Sequence, residues 1–485
     1  MCKSLLRITL FIAFLAVSAT SLAVPYASFI RVSSTNPAEG VGLDISYVLN
    51  DAADSVTIDI LDSGSGVVAT FAGTATRGDN SVSWDGTVDN AGGTAVAAGD
   101  NYAVRITADK NISDWTEYIE RASGSGGSGQ VFSGFSPNDT AVPTDTSSDV
   151  FGTVLVSTSW NGVNGIIQFR TDLLTLDGVD GTVDFLDCGI TTSVNYAVWN
   201  LDVMPNGRDV YANGEEGVAE GGKEHWIVDG SGGSFTEMTE ADPNDDVSSY
   251  SSGPWFWGCC IVQEGTKTVG YGAHNTLAFD RKIRKWEIQN GLAVPGSATD
   301  FLSIDSSSVM SGVETDPDGN LYFTVESGGD GSRVYRFDAV DVQPISASAG
   351  IVLTTADASW VVDFPAPWDE VLSANVSPDG NVYALVNDDV ADAAAIFLVG
   401  PASTASLVKT LTAPTDIVAD GFTVDGKYTC LTFDLFGNLY VHDRGIEYFW
   451  AWSPPGNFSS PVDAPASQEF DIVTVTGLPE WSDYR

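Results

Sequence analysis

From residue 43 onward, apolar and polar positions alternate in short stretches, "LDISYVLN", "SVTIDILDS" and "VVATFAG", separated by turns rich in Asn, Asp and Gly. A period of two is that of a half-buried strand. The pattern continues through "NSVSWDGTVDNAGGTAVAAGDNYAVRITAD" and predicts a small β-sandwich over residues 24–109. After Asp109 the alternation lapses. The stretch "ASGSGGSG", 122–129, has the composition of a flexible linker, so residues 110–130 read as a connection and 131–485 as a second domain.

The second domain repeats itself. "DPDGNLYF", "SPDGNVYA" and "DLFGNLYV" place a turn glycine at Gly319, Gly380 and Gly437, and weaker copies place it at Gly152, Gly207 and Gly265. Successive spacings are 55, 58, 54, 61 and 57 residues. In each copy an apolar stretch precedes the turn and a strand carrying Tyr or its equivalent follows. A third strand comes next, such as "RVYRFD", "AIFLVG" or "YFWAWS", and then a fourth, such as "GIVLTT", "SLVKTL" or "DIVTVT". Four antiparallel strands per unit of this length make a propeller blade, which cannot bury both faces alone. Six copies predict six blades. The turn calls for glycine because φ is positive there. Tyr322, Tyr383 and Tyr440, recurring in one register, are expected to pack between blades. The fold class is therefore all-β: a sandwich followed by a six-bladed β-propeller.

Two resemblances attach to these stretches. The order "DSGSGVV", then Trp84-Asp85-Gly86, then "NAGGTAVAAGDNYAVRI" resembles the immunoglobulin-like domain of the flagellar hook-capping family. It implies scaffolding or attachment without catalysis, with Trp84 in the core. The "DGNLY" turn resembles that of NHL-type and virginiamycin-lyase-like propellers, and gluconolactonase-like propellers share a related pattern. That likeness implies the fold and leaves activity open, because propellers host lyases, lactonases and binding proteins.

Composition changes the picture at the ends and at the surface. Residues 1–23 carry Lys3 and Arg7, the apolar run "ITLFIAFLAV" and small residues before Val24, the layout of a secretory signal peptide. The run is short for a span of about 20 residues. A secreted or cell-surface protein is expected, with no membrane span. With 65 acidic against 21 basic residues the formal charge is −44, which repels nucleic acid and anionic lipid. Beyond the signal lie Cys188, Cys259, Cys260 and Cys430, too scattered for a disulfide framework. The adjacent Cys259 and Cys260 could form a vicinal disulfide in an oxidising compartment.

In a propeller the loop joining second and third strands opens on the face where ligands sit over the channel. The stretches expected there contribute Asn213 and Glu215, His274, Glu326, Asp388 and Asp443, and the interblade loops bring Trp255 and Trp368. Carboxylates around a channel could hold a hard cation such as Ca²⁺, and Trp beside them could stack on a sugar. Catalytic signatures are sparse. His225, His274 and His442 lie in different repeats and read as ordinary surface histidines, and no nucleophile elbow, zinc-binding His motif or phosphate loop is present. Three readings follow. The first is an extracellular binding or adhesion protein, whose propeller face recognises a glycan or protein while the sandwich serves as spacer. The second is a self-assembling subunit of an extracellular layer or filament. The third is a metal-dependent secreted lyase or lactonase. Recognition or assembly fits two modular β-domains better than chemistry does.

Overall fold

The computed structural model describes residues 25–122, 136–159, 166–172, 184–186, 197–215, 223–228, 235–237, 255–275, 281–294, 296–305, 308–327, 331–346, 350–388, 393–400, 404–411, 428–443 and 448–474. Among them the secondary structure is almost wholly strand. The signal-peptide expectation over 1–23 and Cys188 lie outside the described residues.

The sandwich is built from two sheets. Ala27–Val32, Leu43–Leu49 and Gly78–Trp84 form one, and Val67–Ala72, Ser55–Leu61 and Gly99–Ile112 lie in the other. Alternation sends Ile45, Tyr47, Ile58, Ile60, Val104 and Ile106 into one core around Trp84. The indole Nε1 of Trp84 donates to the Thr87 carbonyl at 2.8 Å, so the buried ring leaves no polar atom unmet. That is the role expected of it.

Six four-stranded units follow. Blade 4 shows the plan: Val309–Thr315 innermost, then Leu321–Ser327, Arg333–Phe337 and, outermost, Trp360–Asp363. The innermost strands of blades 1 to 6 are Ser136–Ala141, Ala197–Val203, Trp255–Glu264, Val309–Thr315, Glu370–Val376 and Tyr428–Phe433. Each packs beside the next, and that of blade 6 packs beside that of blade 1, so the ring closes. The repeated tyrosines fill the seams. Tyr211 lies with Trp286 of blade 3, Tyr322 with Val371 and Phe397 of blade 5, and Tyr383 with Leu431 and Trp450 of blade 6.

Strand pairing redraws the domain limits read from sequence. Thr116–Ala122 is no linker; it pairs antiparallel with Tyr448–Ser453 and supplies the outermost strand of blade 6. Nor does the propeller take the whole of 131–485. Gly456–Asp463 pairs with Gly99–Ile112 at the edge of the second sandwich sheet, and Phe470–Ile472 joins the same long strand further along. Proline is confined to such edges because it cannot donate to a ladder, and Pro461 sits on this one. Phe458, Ser460 and Val462 face inward while their neighbours face water. The start of "DIVTVT", Asp471 and Ile472, thus belongs to the sandwich, and "GIVLTT" contributes Leu353–Thr354, a parallel addition to blade 3, instead of closing blade 4. The propeller is an insertion between two sandwich strands.

The two bodies meet at the turn end of the ring. Tyr26 of the sandwich stacks on Phe436, with ring centroids 4.5 Å apart, and lies 5.5 Å from Phe151; these phenylalanines precede the turn glycines of blades 6 and 1. Arg170 bridges Asp79 of the sandwich at 2.8 Å and buried Asp172 at 2.6 Å. Gly152 has φ of +94°, and a Cβ there would lie 2.2 Å from that of Ser28. Glycine is required twice over, by conformation and by the close approach of the sandwich.

Candidate functional site

The end of the ring opposite the sandwich is where second strands finish and innermost strands begin. Backbone pairing shows it directly: Trp255 pairs with Asn275, Phe256 with His274, Ala197 with Glu215, Glu370 with Asn387 and Tyr428 with Asp443. Asn213, Glu215, His274, Glu326, Asp388 and Asp443 all fall within the last three residues of their second strands. They lie at one end of the propeller, on strand termini and not in loops. The loops themselves, and the side chains of Glu215, Trp255, His274 and Asp443, lie outside the described residues.

The described members have distinct surroundings. Asn213 is buried, and its Oδ1 accepts from Asn200 Nδ2 at 3.0 Å, an internal strut. Trp368 packs edge-on to Phe397, centroids 5.9 Å apart, and fills the seam beside blade 5. Asp388 is buried at the end of its strand. Glu326 is half-buried and faces Arg281, which begins the third strand of blade 3. Burial lowers the pKa of Arg281, and the Asp305 and Glu326 carboxylates oppose that shift. Its Nη1 is buried without a hydrogen-bond partner among the described residues.

Cys259 and Cys260 are the adjacent pair considered for a vicinal disulfide. Both stand as free thiols in the strand Trp255–Glu264, just past a register slip between Phe256 and Cys259, and pair with Gly272 and Tyr271. Consecutive strand residues point to opposite faces, so Cys259 enters the seam with Tyr211 and Trp286, and Cys260 the one with Tyr271 and Phe301. His442 is likewise no surface group. It is fully buried, touches Thr140 Oγ1, and burial pulls its pKa down to about 3, so the ring is neutral.

One constellation was not foreseen. The residue opposite the tyrosine of each repeat is polar in blades 2 to 6: Asp202, Cys260, Glu314, Asn375 and Thr432 face Tyr211, Tyr271, Tyr322, Tyr383 and Tyr440. Each stands five residues before its turn glycine, so the signal lay in the repeat. Several reach across to the following blade. Asp202 accepts from the Ile261 N–H, Glu314 Oε2 from Asn375 Nδ2 at 3.0 Å, and Thr432 Oγ1 donates to the Thr140 carbonyl at 3.1 Å. Asp139 extends the belt: its carboxylate accepts from Leu201 N at 2.9 Å, from Thr140 N at 2.8 Å and from the Cys430 thiol. Burial lifts Asp139 to about 6, the three donors opposing it. Burial first, and the neighbouring carboxyls second, raise Glu314; for Asp202, burial leads and Asp139 adds to it. These carboxyls are walled in by protein yet keep some accessible surface, and all three hold their protons to higher pH than an ordinary carboxyl does. Among the described residues no cluster of three or more His, Cys, Asp or Glu side chains has metal-binding geometry.

An immunoglobulin-like sandwich carrying an inserted six-bladed propeller is thus the class defined by the sheets. Residues 33–111 match the FlgD Ig-like domain family, a match confined to the sandwich portion. No curated protein matches the chain. Among solved structures it is similar to the periplasmic gluconolactonase of Pseudomonas aeruginosa, at 14% identity over 75% of this chain and 98% of that one, with a TM-score of 0.38. It is also similar to a carbohydrate-active enzyme of Trichoderma reesei, at 12% identity over 71% and 97%, TM-score 0.38. The WD40 propeller domain of Doa1 follows at 13% over 74% and 91%, TM-score 0.37.

Proposed function

We propose that this is an exported recognition protein whose propeller binds a glycan at the end opposite the sandwich. Arg281 carries the reading: its Nη1 is buried without a hydrogen-bond partner among the described residues, and the Glu326 carboxylate acts on its charge, a cation and an anion at one rim, suited to the hydroxyl and carboxylate groups of a sugar. The sandwich occupies the other end, so it holds this rim outward. The buried polar belt is committed to joining blade to blade and serves the rigidity of the platform.

The full chain, applied to a glycan array and then titrated calorimetrically with any retained glycan, tests this. Arg281→Ala and Glu326→Gln are each expected to weaken binding at least about tenfold, the loss of a charge-assisted hydrogen bond. An array without hits, or hits that both variants keep at full affinity, rejects a glycan site at this rim.

A further inference from the structure

A second site lies away from that rim, in the crevice where the sandwich meets blade 1. It encloses about 220 Å³ and is lined by Phe29 and Arg31 of the first sandwich strand, by Thr146, Ser148 and Asp149 before the turn of blade 1, and by Ser467 near the chain's return to the sandwich, among others. Drug-sized ligands occupy about 300–1,000 Å³. This space is on the scale of a single sugar ring.

Part of the polar lining serves the fold: Ser148 Oγ accepts from Val150 N–H at 3.3 Å, Gln468 Oε1 from Val32 N–H at 3.1 Å, and Asp463 pairs with Arg105. Arg31, Thr146, Asp149 and Ser467 make no side-chain hydrogen bond or ion pair among the described residues, although Arg31 and Asp149 have opposite charges and line the same cleft. The chain has 21 basic against 65 acidic residues, and Arg31 brings a guanidinium to a cleft that Asp149 and Asp463 also line. The wall beside it is shaped deliberately. The pairing of Ala27–Val32 with Leu43–Leu49 slips between Ser28 and Arg31, and Phe29 within that bulge has φ of +49°. Bulges re-aim side chains, and the Phe29 ring is turned over Gly152, half-buried at the cleft.

We infer that this crevice binds one uronic acid unit: the guanidinium of Arg31 takes the sugar carboxylate, Asp149, Thr146 and Ser467 take ring hydroxyls, and Phe29 offers an apolar face. Guanidinium and carboxylate match as a two-pronged pair, and a carboxylate with hydroxyl neighbours accepts from vicinal diols. A neutral hexose lacks the group that Arg31 would bind. The inference stands apart from the glycan rim, since the two sites share no residue.

Calorimetric titration of the full chain with glucuronate, galacturonate and glucose tests it. One or both uronates are expected to bind, and glucose at least about tenfold more weakly. Arg31→Ala is expected to remove that preference, and Asp149→Asn to weaken uronate binding severalfold, while Arg281→Ala at the rim leaves it unchanged. Arg31 and Asp149 are exposed, so both variants should keep the parent melting temperature; if Arg31→Ala does not, Arg31→Gln replaces it. Absence of uronate binding overturns the assignment, as do equal affinities for glucose and uronate, or a loss caused by Arg281→Ala and not by Arg31→Ala.

Discussion

Gly152 and Gly380 occupy the same place in two repeats, yet only one of them touches the sandwich. Both have positive φ, +94° and +81°, but a Cβ at Gly152 would collide with Ser28, whereas one at Gly380 would meet nothing within 4 Å. Gly380→Ala should therefore cost about 1 kcal/mol, the strain alone, and Gly152→Ala about 2 kcal/mol or more. Urea unfolding of the two variants measures the difference, and equal costs would refute the close approach. Titration offers a second test at this scale. Folded, Asp139 holds its proton to about pH 6 and Asp202 to about pH 7, whereas an unfolded carboxyl releases it near pH 4. Between those limits the native state binds more protons, so their contribution to stability falls as pH rises. His442 runs the other way, since its proton is lost near pH 3 when folded and near pH 6.5 when unfolded, and its contribution rises with pH across that interval. Asp202→Asn keeps an acceptor for the Ile261 N–H and removes one titration. Its melting temperature should fall a few degrees less than the parent's between pH 4 and about pH 7; parallel curves would show that Asp202 ionises normally.

Individual strands explain where the boundaries went astray. A fragment of residues 131–485 has the glycine register of six blades but lacks Thr116–Ala122, and it carries Gly456–Asp463 and Phe470–Ile472 without the sheet they join. It should aggregate or melt at least about 10 °C below the full chain. A fragment with native-like stability in thermal melts would contradict the pairing. Within the full chain, Phe470→Ala should destabilise by about 3–5 kcal/mol, because the ring lies in the sandwich core against Trp84 and Tyr102. The repeat was legible because glycine at positive φ and tyrosine in a seam leave fixed marks at fixed spacing. The closing strand was not: "TEYIERA" mixes charged and apolar positions without a clean period of two, and its partner, Tyr448–Ser453, lies more than 300 residues further along the chain. The polar belt was legible in principle, five residues before each glycine, but a lone Asp, Cys, Glu, Asn or Thr carries no signal until pairing puts it opposite the tyrosine. Site residues were located by strand end alone. Which of them are struts, as Asn213 is, depends on cross-strand contacts such as that from Asn200, and repeat spacing is blind to these.

At the scale of the whole molecule, sandwich and propeller behave as one unit. The chain passes between them twice, the Arg170 bridge and the stack of Tyr26 on Phe436 fix their contact, and neither ring nor sandwich is complete without the other's segment. Calorimetry of the full chain should show a single unfolding transition. Two resolved transitions would mean that the bodies unfold independently despite the shared strands. Arg170→Ala, which withdraws the guanidinium from buried Asp172, is expected to lower that transition without splitting it.

The return of the chain to the sandwich has a mechanical side. The segment just after Asn36 and the segment ending at Val473 lie against each other, Glu39 N–H on the Val473 carbonyl and Val473 N–H on that of Pro37. Tension drawn between the segments that flank this seam is borne there and along the sandwich strands, so the propeller inserted between them stays out of the line of force.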